Sequence, residues 1–401
     1  MDALLSAGGV VTGPDGRLLR DGAVLVQGGV ITAVGPRTEL EGRAPHDATR
    51  FAYPGGTLLP GLVDAHVHLV LDAGPDPVTA LQHTDDAALL PTMAHRARQL
   101  LNAGVTTVRD LGDRGGLAIR LRDEIAAGRQ SGPRVLAAGT PLTAPGGHCW
   151  FLGGEAEGAD AIRRVVRRTV ERGADVVKVM ATGGGLTRGG PPVWAAQFTT
   201  DELRLVVEEA RQAGLPVAAH AHGTAGIAAA VAAGVSTIEH CTWMGPDGFE
   251  VREDVVEEMA ARGIAVCPAA SPDWRGFAHR FGPERAQEMF ARMAWMHQRG
   301  VRLIAGTDAG ISRAVFDDPV SSLEFFAHLG HTPAQIIDLA THRTAQALGI
   351  GHDTGLLHPG YRADLLAVAG NPLDDLQALR NPRLVMTGGH PHLPEPPHPR
   401  T

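Results

Sequence analysis

Between residues 58 and 354 the chain alternates between short apolar segments and longer segments with a helical pattern, and this alternation restricts its fold more than any other feature. The apolar segments end near His66, Arg109, Ala138, Val179, His220, His240, Cys267 and Asp308. Strands that alternate with helices are typical of a parallel sheet with helical crossovers, and eight such strands close a barrel. We therefore predict an α/β protein in which residues 58–354 form a (β/α)8 barrel.

The two ends of the chain have a different pattern. Residues 1–57 contain short strand patterns and no helical period, and Gln27-Gly28-Gly29 is a turn of the kind that joins hairpin strands. Residues 355–401 contain similar strand patterns. We expect the two ends to pair into one β-sandwich domain, with the barrel inserted between them. For the Pro- and His-rich tail from His390 to Thr401, which includes His392 and His398, a frayed terminus is favoured over a metal site.

Composition excludes several classes of partner. The formal net charge is −8, and no cluster of Lys and Arg is interleaved with aromatic residues, so no nucleic-acid partner is expected. Cys149, Cys241 and Cys267 form no CxxC pair and are odd in number, which favours a reducing compartment. The sequence begins without a signal-peptide pattern and contains no apolar run long enough to span a membrane. We expect a cytoplasmic protein with no membrane partner.

The first barrel strand ends in two histidines one residue apart. Side chains two apart on a strand lie on the same face, about 6–7 Å from each other, so His66 and His68 could grip one metal ion. Lys178, His220, His240 and Asp308 lie at the ends of later strands. Because the C-terminal ends of barrel strands meet at one rim, these side chains are expected to converge there.

Imidazole nitrogens and carboxylate oxygens suit Zn²⁺, and hydrolytic zinc sites keep one position open for water. Four histidines and an aspartate are enough for two adjacent metals if another group bridges them. Lys178 lies among valines, and a lysine is almost never fully buried without a partner. Reaction with CO₂ would turn it into an anionic carbamate with two ligand oxygens. In the alternative interpretation, Lys178 reaches solvent or pairs with Asp308.

These six residues resemble the metal-dependent amidohydrolase superfamily when they are taken together with the hairpin at 29–35 and the Gly-x-x-x-Pro-Gly-x-x-Ala-Asp-Leu segment at 355–365. The segments at 178–185, 196–198 and 220–223 resemble its imidazolonepropionase-related branch. That branch contains Xaa-Pro and Xaa-Arg or Xaa-Lys dipeptidases, ochratoxin-type amidases and phenylurea hydrolases.

The resemblance implies two divalent metal ions, most simply Zn²⁺. Residues matched to the family place His66, His68 and Asp308 at the first metal, His220 and His240 at the second, and carboxylated Lys178 between them. A shared hydroxide would attack an amide carbonyl of a small apolar or aromatic N-acyl amino acid or dipeptide. Asp308 would take the proton of the nucleophile and pass it to the leaving amine. A homo-oligomer with a small-molecule substrate is expected.

Substrate contacts are predicted at five further residues. His222 shares a strand face with His220, so it is either a catalytic and substrate-contacting group or a loop histidine. His148 lies in the loop after strand three, where relatives place a histidine that meets the substrate carboxylate. Trp243 stands where relatives often have a tyrosine. Its indole donates a hydrogen bond but cannot accept one, so the usual pair of a histidine and a tyrosine that binds the substrate carboxylate is in doubt. Arg188 and Arg313 are candidates for the same carboxylate.

Four of the five tryptophans fall in loops after the strands, namely Trp150, Trp194, Trp243 and Trp274. They predict either an aromatic pocket wall or loop-on-loop packing, with equal weight.

Three alternatives remain. An aryl-urea or carbamate hydrolase would use the same hydroxide. A mononuclear deaminase needs no bridging lysine and usually has a glutamate near the strand-five histidine. A non-catalytic scaffold predicts lost ligands, and none of the six is missing.

Overall fold

The structure is a computed structural model that describes residues 1–395, so His398 of the predicted tail lies outside the described residues. The strands are β1 (Ala3–Val11), β2 (Leu18–Gln27), β3 (Val30–Pro36), β4 (Thr49–Pro60), β5 (Leu62–Val67), β6 (Val105–Asp110), β7 (Arg134–Ala137), β8 (Val177–Met180), β9 (Val217–Gly223), β10 (Thr237–Gly245), β11 (Gly248–Phe249), β12 (Ala265–Cys267), β13 (Arg302–Leu303), β14 (Leu365–Ala369), β15 (Pro382–Thr387) and β16 (His390–His392).

The α-helices are α1 (Arg37–Arg43), α2 (Pro77–Gln82), α3 (Asp86–Asn102), α4 (Leu117–Ala126), α5 (Gly158–Glu171), α6 (Thr200–Gln212), α7 (Thr224–Ala233), α8 (Glu253–Arg262), α9 (Gly276–Phe281), α10 (Pro283–Gln298), α11 (Pro319–His328), α12 (Pro333–Asp338) and α13 (Thr344–Ala347). A π-helical turn at Leu339–Arg343 joins α12 to α13. Local signals explain several starts, such as the capping box in which Thr199 and Glu202 exchange hydrogen bonds at the beginning of α6.

The middle of the chain is an α/β structure with parallel strands. β5, β6 and β7 form one parallel sheet, and β8, β9, β10, β12 and β13 form another. Single bridges connect the sheets on both sides, from Leu142 to Val179 and from Val67 to Ala309. The main core lies between these strands and their helices, where Met93, Val206 and Ile227 are fully buried.

The eighth predicted strand is shorter than expected. Regular pairing stops at Leu303, yet the chain beyond it still follows β5, because Ala65 N donates to Ala305 O at 2.9 Å and Asp308 N donates to His66 O at 2.8 Å. The backbone of Asp308 is left-handed, with φ +56°, and this interrupts the regular strand. The carboxylate is nevertheless delivered to the end of the strand.

Strands from both ends of the chain hydrogen-bond into one seven-stranded sheet in the order β16-β15-β14-β4-β1-β2-β3. Leu5 and Val24 from the N-terminal part share a buried cluster with Leu365 and Leu384 from the C-terminal part. The prediction that the first 57 residues lack a helix is wrong, because α1 is present and buries Leu40 against this sheet. Among the described residues, no helix has both the length and the apolar character needed to cross a bilayer.

Candidate metal centre

The six side chains predicted as metal ligands line one cavity of about 510 Å³ at the C-terminal ends of the parallel strands. They are His66, His68, Lys178, His220, His240 and Asp308. His222 and His148, which were predicted as catalytic or substrate-binding residues, line the same cavity.

The first group of ligands is a compact triangle. The Nε2 atoms of His66 and His68 lie 3.3 Å apart, and each lies 3.4 Å from Oδ1 of Asp308. The three side chains are buried. Nothing but an ion or a proton fits between donor atoms at this spacing, so the triangle is a candidate face for a metal.

Hydrogen bonds fix the orientation of both imidazoles. His68 Nδ1 donates to the carbonyl oxygen of Gly112 at 3.3 Å, and His66 Nδ1 lies 2.9 Å from a carboxylate oxygen of Glu239. Because these oxygens accept the Nδ1 proton, the Nε2 lone pairs face Asp308. Such carbonyl and carboxylate partners are how metal-binding histidines are commonly oriented.

Glu239 is a site residue that the sequence analysis missed. It is fully buried, and it accepts hydrogen bonds from Arg109 at 2.8 Å and Thr237 at 2.6 Å. Burial raises the pKa of its carboxyl, but the charge of Arg109 and the hydrogen bond from His66 outweigh burial and hold the pKa below its usual value. Glu239 is therefore an anion beside the first group of ligands.

A second group consists of His220, His222 and His240, whose candidate ligand atoms lie within 4.8 Å of one another. His220 Nε2 donates to Gly183 O at 3.1 Å, which leaves Nδ1 as its lone-pair atom. Burial, and secondarily the neighbouring histidines, lowers the pKa of His220 and of His240 well below the usual value. The imidazoles are therefore neutral near pH 7, the form that binds metals.

Lys178 lines the same cavity as a buried amine without a hydrogen-bond partner among the described residues. Its exposed fraction is 1%, and within residues 1–395 its Nζ has no hydrogen bond. Burial lowers the pKa of this amine. An orphaned polar group at this depth is costly unless a ligand or a chemical modification satisfies it.

Asp308 is ionised in this environment. Burial raises the pKa of its carboxyl, but the nearby imidazoles of His66, His68 and His240 outweigh burial and hold the pKa below its usual value. Its loop is fixed by Asp64, whose carboxylate accepts from Thr307 Oγ1 at 2.6 Å and from His66 N at 3.1 Å. Asp64 thus connects the first and last parallel strands directly beneath the site.

His148 lies against the second group, with its ring centroid 4.4 Å from that of His220. Its backbone N donates to Gln197 at 2.6 Å, and its Nδ1 lies 3.1 Å from the hydroxyl of Thr187. Burial lowers the pKa of His148 to about 3, so its ring is neutral. A neutral imidazole at the cavity wall can donate or accept one hydrogen bond toward a substrate.

Two predicted substrate contacts do not reach the cavity. Trp243 is fully buried behind the wall, where its Nε1 donates to the sulfur of Met296 at 3.2 Å. Its backbone φ of +58° turns the ring away from the strand face expected from simple alternation. The side chain of Arg188 is 83% exposed and lies 3.4 Å from Asp76, outside the cavity.

The aromatic wall predicted from the tryptophans is partly present. Trp274 lines the cavity, together with Phe277, Phe281, Phe290 and Phe325. Trp150 and Trp194 are partly exposed and lie outside it.

Comparison with known proteins agrees with this geometry. The amidohydrolase family model matches residues 57–391, and a model of the imidazolonepropionase-like composite domain of bacteria matches residues 22–46. Ochratoxinase from Aspergillus niger is 29% identical over 422 aligned positions that cover 95% of this chain and 84% of the relative. Imidazolonepropionase from Paracoccus denitrificans is 28% identical and covers 87% of this chain and 88% of the relative.

Solved structures are similar over almost the whole chain. The crystal structure of a Xaa-Pro dipeptidase with bound methionine matches with a TM-score of 0.85 and 26% identity, covering 98% of this chain and 100% of that one. The crystal structure of Aspergillus niger ochratoxinase matches with a TM-score of 0.84 and 27% identity, covering 97% and 94%. The chain therefore belongs to the amidohydrolase family and is a metal-dependent hydrolase.

Proposed function

We propose that the protein is a hydrolase with two divalent metal ions that cleaves the amide bond of a small apolar or aromatic N-acyl amino acid or dipeptide. The relatives named above include a dipeptidase and an ochratoxinase, which supports this class of substrate. The observation that carries the proposal is the buried amine of Lys178, which has no hydrogen bond within the described residues and lines the same cavity as both groups of candidate ligands.

The donor atoms fit zinc. In a tetrahedral site with Zn–N and Zn–O bonds of about 2.0–2.1 Å, neighbouring ligand atoms are about 3.3–3.4 Å apart. His66, His68 and Asp308 have separations of 3.3, 3.4 and 3.4 Å. These residues would hold the first ion, and His220 and His240 the second.

Lys178 would bridge the two ions as a carbamate. Its lowered pKa increases the fraction of free amine, which attacks CO₂ and forms an N–C bond with release of one proton. The product is a carbamate whose single negative charge is shared by two oxygens, in place of an amine that has no hydrogen-bond partner within the described residues. One modification would thus remove the orphaned donor and complete both groups of ligands.

The bound metals would lower the pKa of water and polarise the amide carbonyl. The ionised carboxylate of Asp308 is placed to accept a proton from the water and to return it to the leaving nitrogen. Thr242 Oγ1 donates to the carbonyl of His222 and so accepts from His222 Nδ1, which leaves Nε2 of His222 as an acceptor toward the substrate. His148 lines the same cavity.

We also propose the architecture that positions these groups. The eight parallel strands would form a closed (β/α)8 barrel over residues 58–354, and residues 1–57 with 355–401 would form a β-sandwich domain. The single bridges between the two parallel sheets support closure of the barrel. The shared cluster of Leu5, Val24, Leu365 and Leu384 supports the terminal domain.

The test is to screen zinc-loaded protein against N-acyl amino acids, dipeptides and aryl ureas, with chelated protein as the control. We expect hydrolysis of N-acyl amino acids or dipeptides that is lost on chelation and restored by Zn²⁺. Hydrolysis of aryl ureas alone, or no hydrolysis of any member, contradicts the proposal.

A further inference from the structure

Two arginines line the cavity, and they differ in their pairing. Arg280 forms a hydrogen-bonded ion pair with Asp273. The guanidinium of Arg313 has no hydrogen bond or ion pair with any part of residues 1–395. Asp308 is the only carboxylate among the described residues that line the cavity. Among the described residues that line the cavity, Arg313 is therefore the arginine without an ion pair, and it is exposed to solvent in the absence of a ligand.

The backbone holds Arg313 in a fixed place. Its φ is +67°, a region that L-residues rarely adopt, and its N donates to Ala73 O at 3.1 Å. On one side Ser312 donates to Pro75 O at 3.2 Å, and on the other Ala314 is fully buried. Strained backbone of this kind often occurs at ligand sites, because the surrounding contacts determine where the side chain is presented.

Two of the other residues predicted to contact a substrate carboxylate do not reach the cavity, whereas His148 does. Arg188 lies near Asp76 on the surface, and the indole of Trp243 is turned behind the wall. Arg313 follows Asp308 by five positions in the same loop, and both residues line the cavity. A guanidinium binds a carboxylate through two parallel hydrogen bonds, and this makes arginine suited to the task.

An aromatic wall lies on the other part of the cavity. Rings of Trp274, Phe290 and Phe325 contact one another with centroid distances of 5.2–5.8 Å. Trp274 is fixed from behind, because its Nε1 donates to Ser321 O at 2.8 Å. Edge-to-face rings held in this way form a rigid apolar surface that suits a flat ring of a ligand.

We propose that Arg313 binds a carboxylate of the substrate and that this aromatic wall holds an aromatic ring of the same molecule. The substrate class is then an amide of an aromatic amino acid with a free carboxylate. This inference rests on the proposed function and narrows it. Arg313 is a specificity-determining residue in the loop that carries Asp308.

The test compares two amides that differ only in the carboxylate, N-benzoyl-L-phenylalanine and N-benzoylphenethylamine, with zinc-loaded protein. We expect wild type to prefer the acid by at least tenfold in kcat/KM. Because a charged hydrogen-bonded contact is lost, Arg313→Gln should lose about 10- to 100-fold on the acid, and its loss on the uncharged amide should be at least tenfold smaller. Arg313→Lys should recover part of the loss. Arg188→Gln is the matched control and should keep the wild-type rate on both compounds.

Binding measured by calorimetry in the Asp308→Asn background separates this inference from the proposed function. If Arg313→Gln binds the acid more weakly, the role of Arg313 is supported even when neither amide is hydrolysed. In that case the absence of hydrolysis counts against the proposed function alone. Equal hydrolysis of the two amides by wild type, or equal losses on both in Arg313→Gln, overturns the role of Arg313 and leaves the hydrolase proposal standing.

Discussion

Replacing Glu239 with glutamine should destabilise the protein, because the positive charge of Arg109 would remain buried without a counter-charge. The carboxylate is fully buried and accepts from the guanidinium of Arg109, whose side chain is 4% exposed, at 2.8 Å. Glutamine keeps the size, but it removes the negative charge, and its single amide oxygen can accept either on the side of Arg109 and Thr237 or from His66, not on both sides. Removing one partner of a buried ion pair typically costs about 3–5 kcal/mol, because the other charge remains buried without compensation.

This free energy converts into a measurable shift in Tm. With an unfolding entropy of about 2.1 cal/mol/K per residue, a chain of 401 residues unfolds with about 0.84 kcal/mol/K. The expected decrease in Tm for Glu239→Gln is therefore about 4–6 °C. The measurement is thermal unfolding of chelated protein by circular dichroism, so that metal binding does not contribute.

A double variant tests the cause. In Arg109→Met/Glu239→Gln both charges of this ion pair are gone, so we expect a Tm at least about 2 °C above the value obtained by adding the two single shifts. Glu239→Gln should also weaken zinc binding about 10- to 100-fold, because the carboxylate orients and polarises His66. Additive Tm shifts, or a single-variant shift below about 1 °C, would refute the reasoning.

Three further predictions concern the cavity. Asp308→Asn should keep the fold and part of the metal but reduce kcat at least about 10³-fold, since the amide cannot accept the proton; a rate near that of wild type would remove Asp308 from the proposed mechanism. Gly184→Ala should lower kcat/KM at least about tenfold without changing metal content, because an added Cβ would lie 2.4 Å from the ring of His148. The control is Gly185→Ala, whose added Cβ would have no atom within 4 Å, and its kcat/KM should stay within about threefold of the wild-type value. Trp243→Phe should leave KM unchanged and lower Tm by about 1 °C through the lost hydrogen bond to sulfur, and a raised KM would place this ring at the substrate after all.

Regular backbone explains which parts of the site were predictable. His66 and His68 share a face because β5 is a regular strand, and the rule that parallel strands deliver their C-terminal residues to one edge brings His220, His240 and Asp308 beside them. Neither inference needs any knowledge of side-chain contacts. Strand alternation and the position along the chain are sufficient.

Irregular backbone explains what the sequence analysis missed. Consecutive strand residues should face opposite sides, yet His66 contacts both Glu239 and His240, because the φ of His240 is +70°. Cys241 and Trp243 also have positive φ values in the same stretch, so the predicted facing of Trp243 failed for the same reason. Nothing in their residue types signals this conformation, since none of them is a glycine.

Short helices were also beyond the sequence patterns. The six residues of α9 have no side-chain cap at their start and too few turns for a periodic signal, although this segment carries Phe277 and Phe281 to the cavity. α1 likewise begins without a side-chain cap. The presence of aromatic residues in these loops could therefore be predicted from the sequence, but the positions of the rings around the cavity could not.

Metal content per chain tests the central claim most directly. Protein purified with zinc and bicarbonate, then dialysed and measured by plasma mass spectrometry, should contain about two Zn²⁺ per chain, and Lys178→Met should contain clearly fewer at an unchanged circular dichroism spectrum. One ion or none in the wild type, or two ions in both proteins, would contradict a centre that Lys178 bridges.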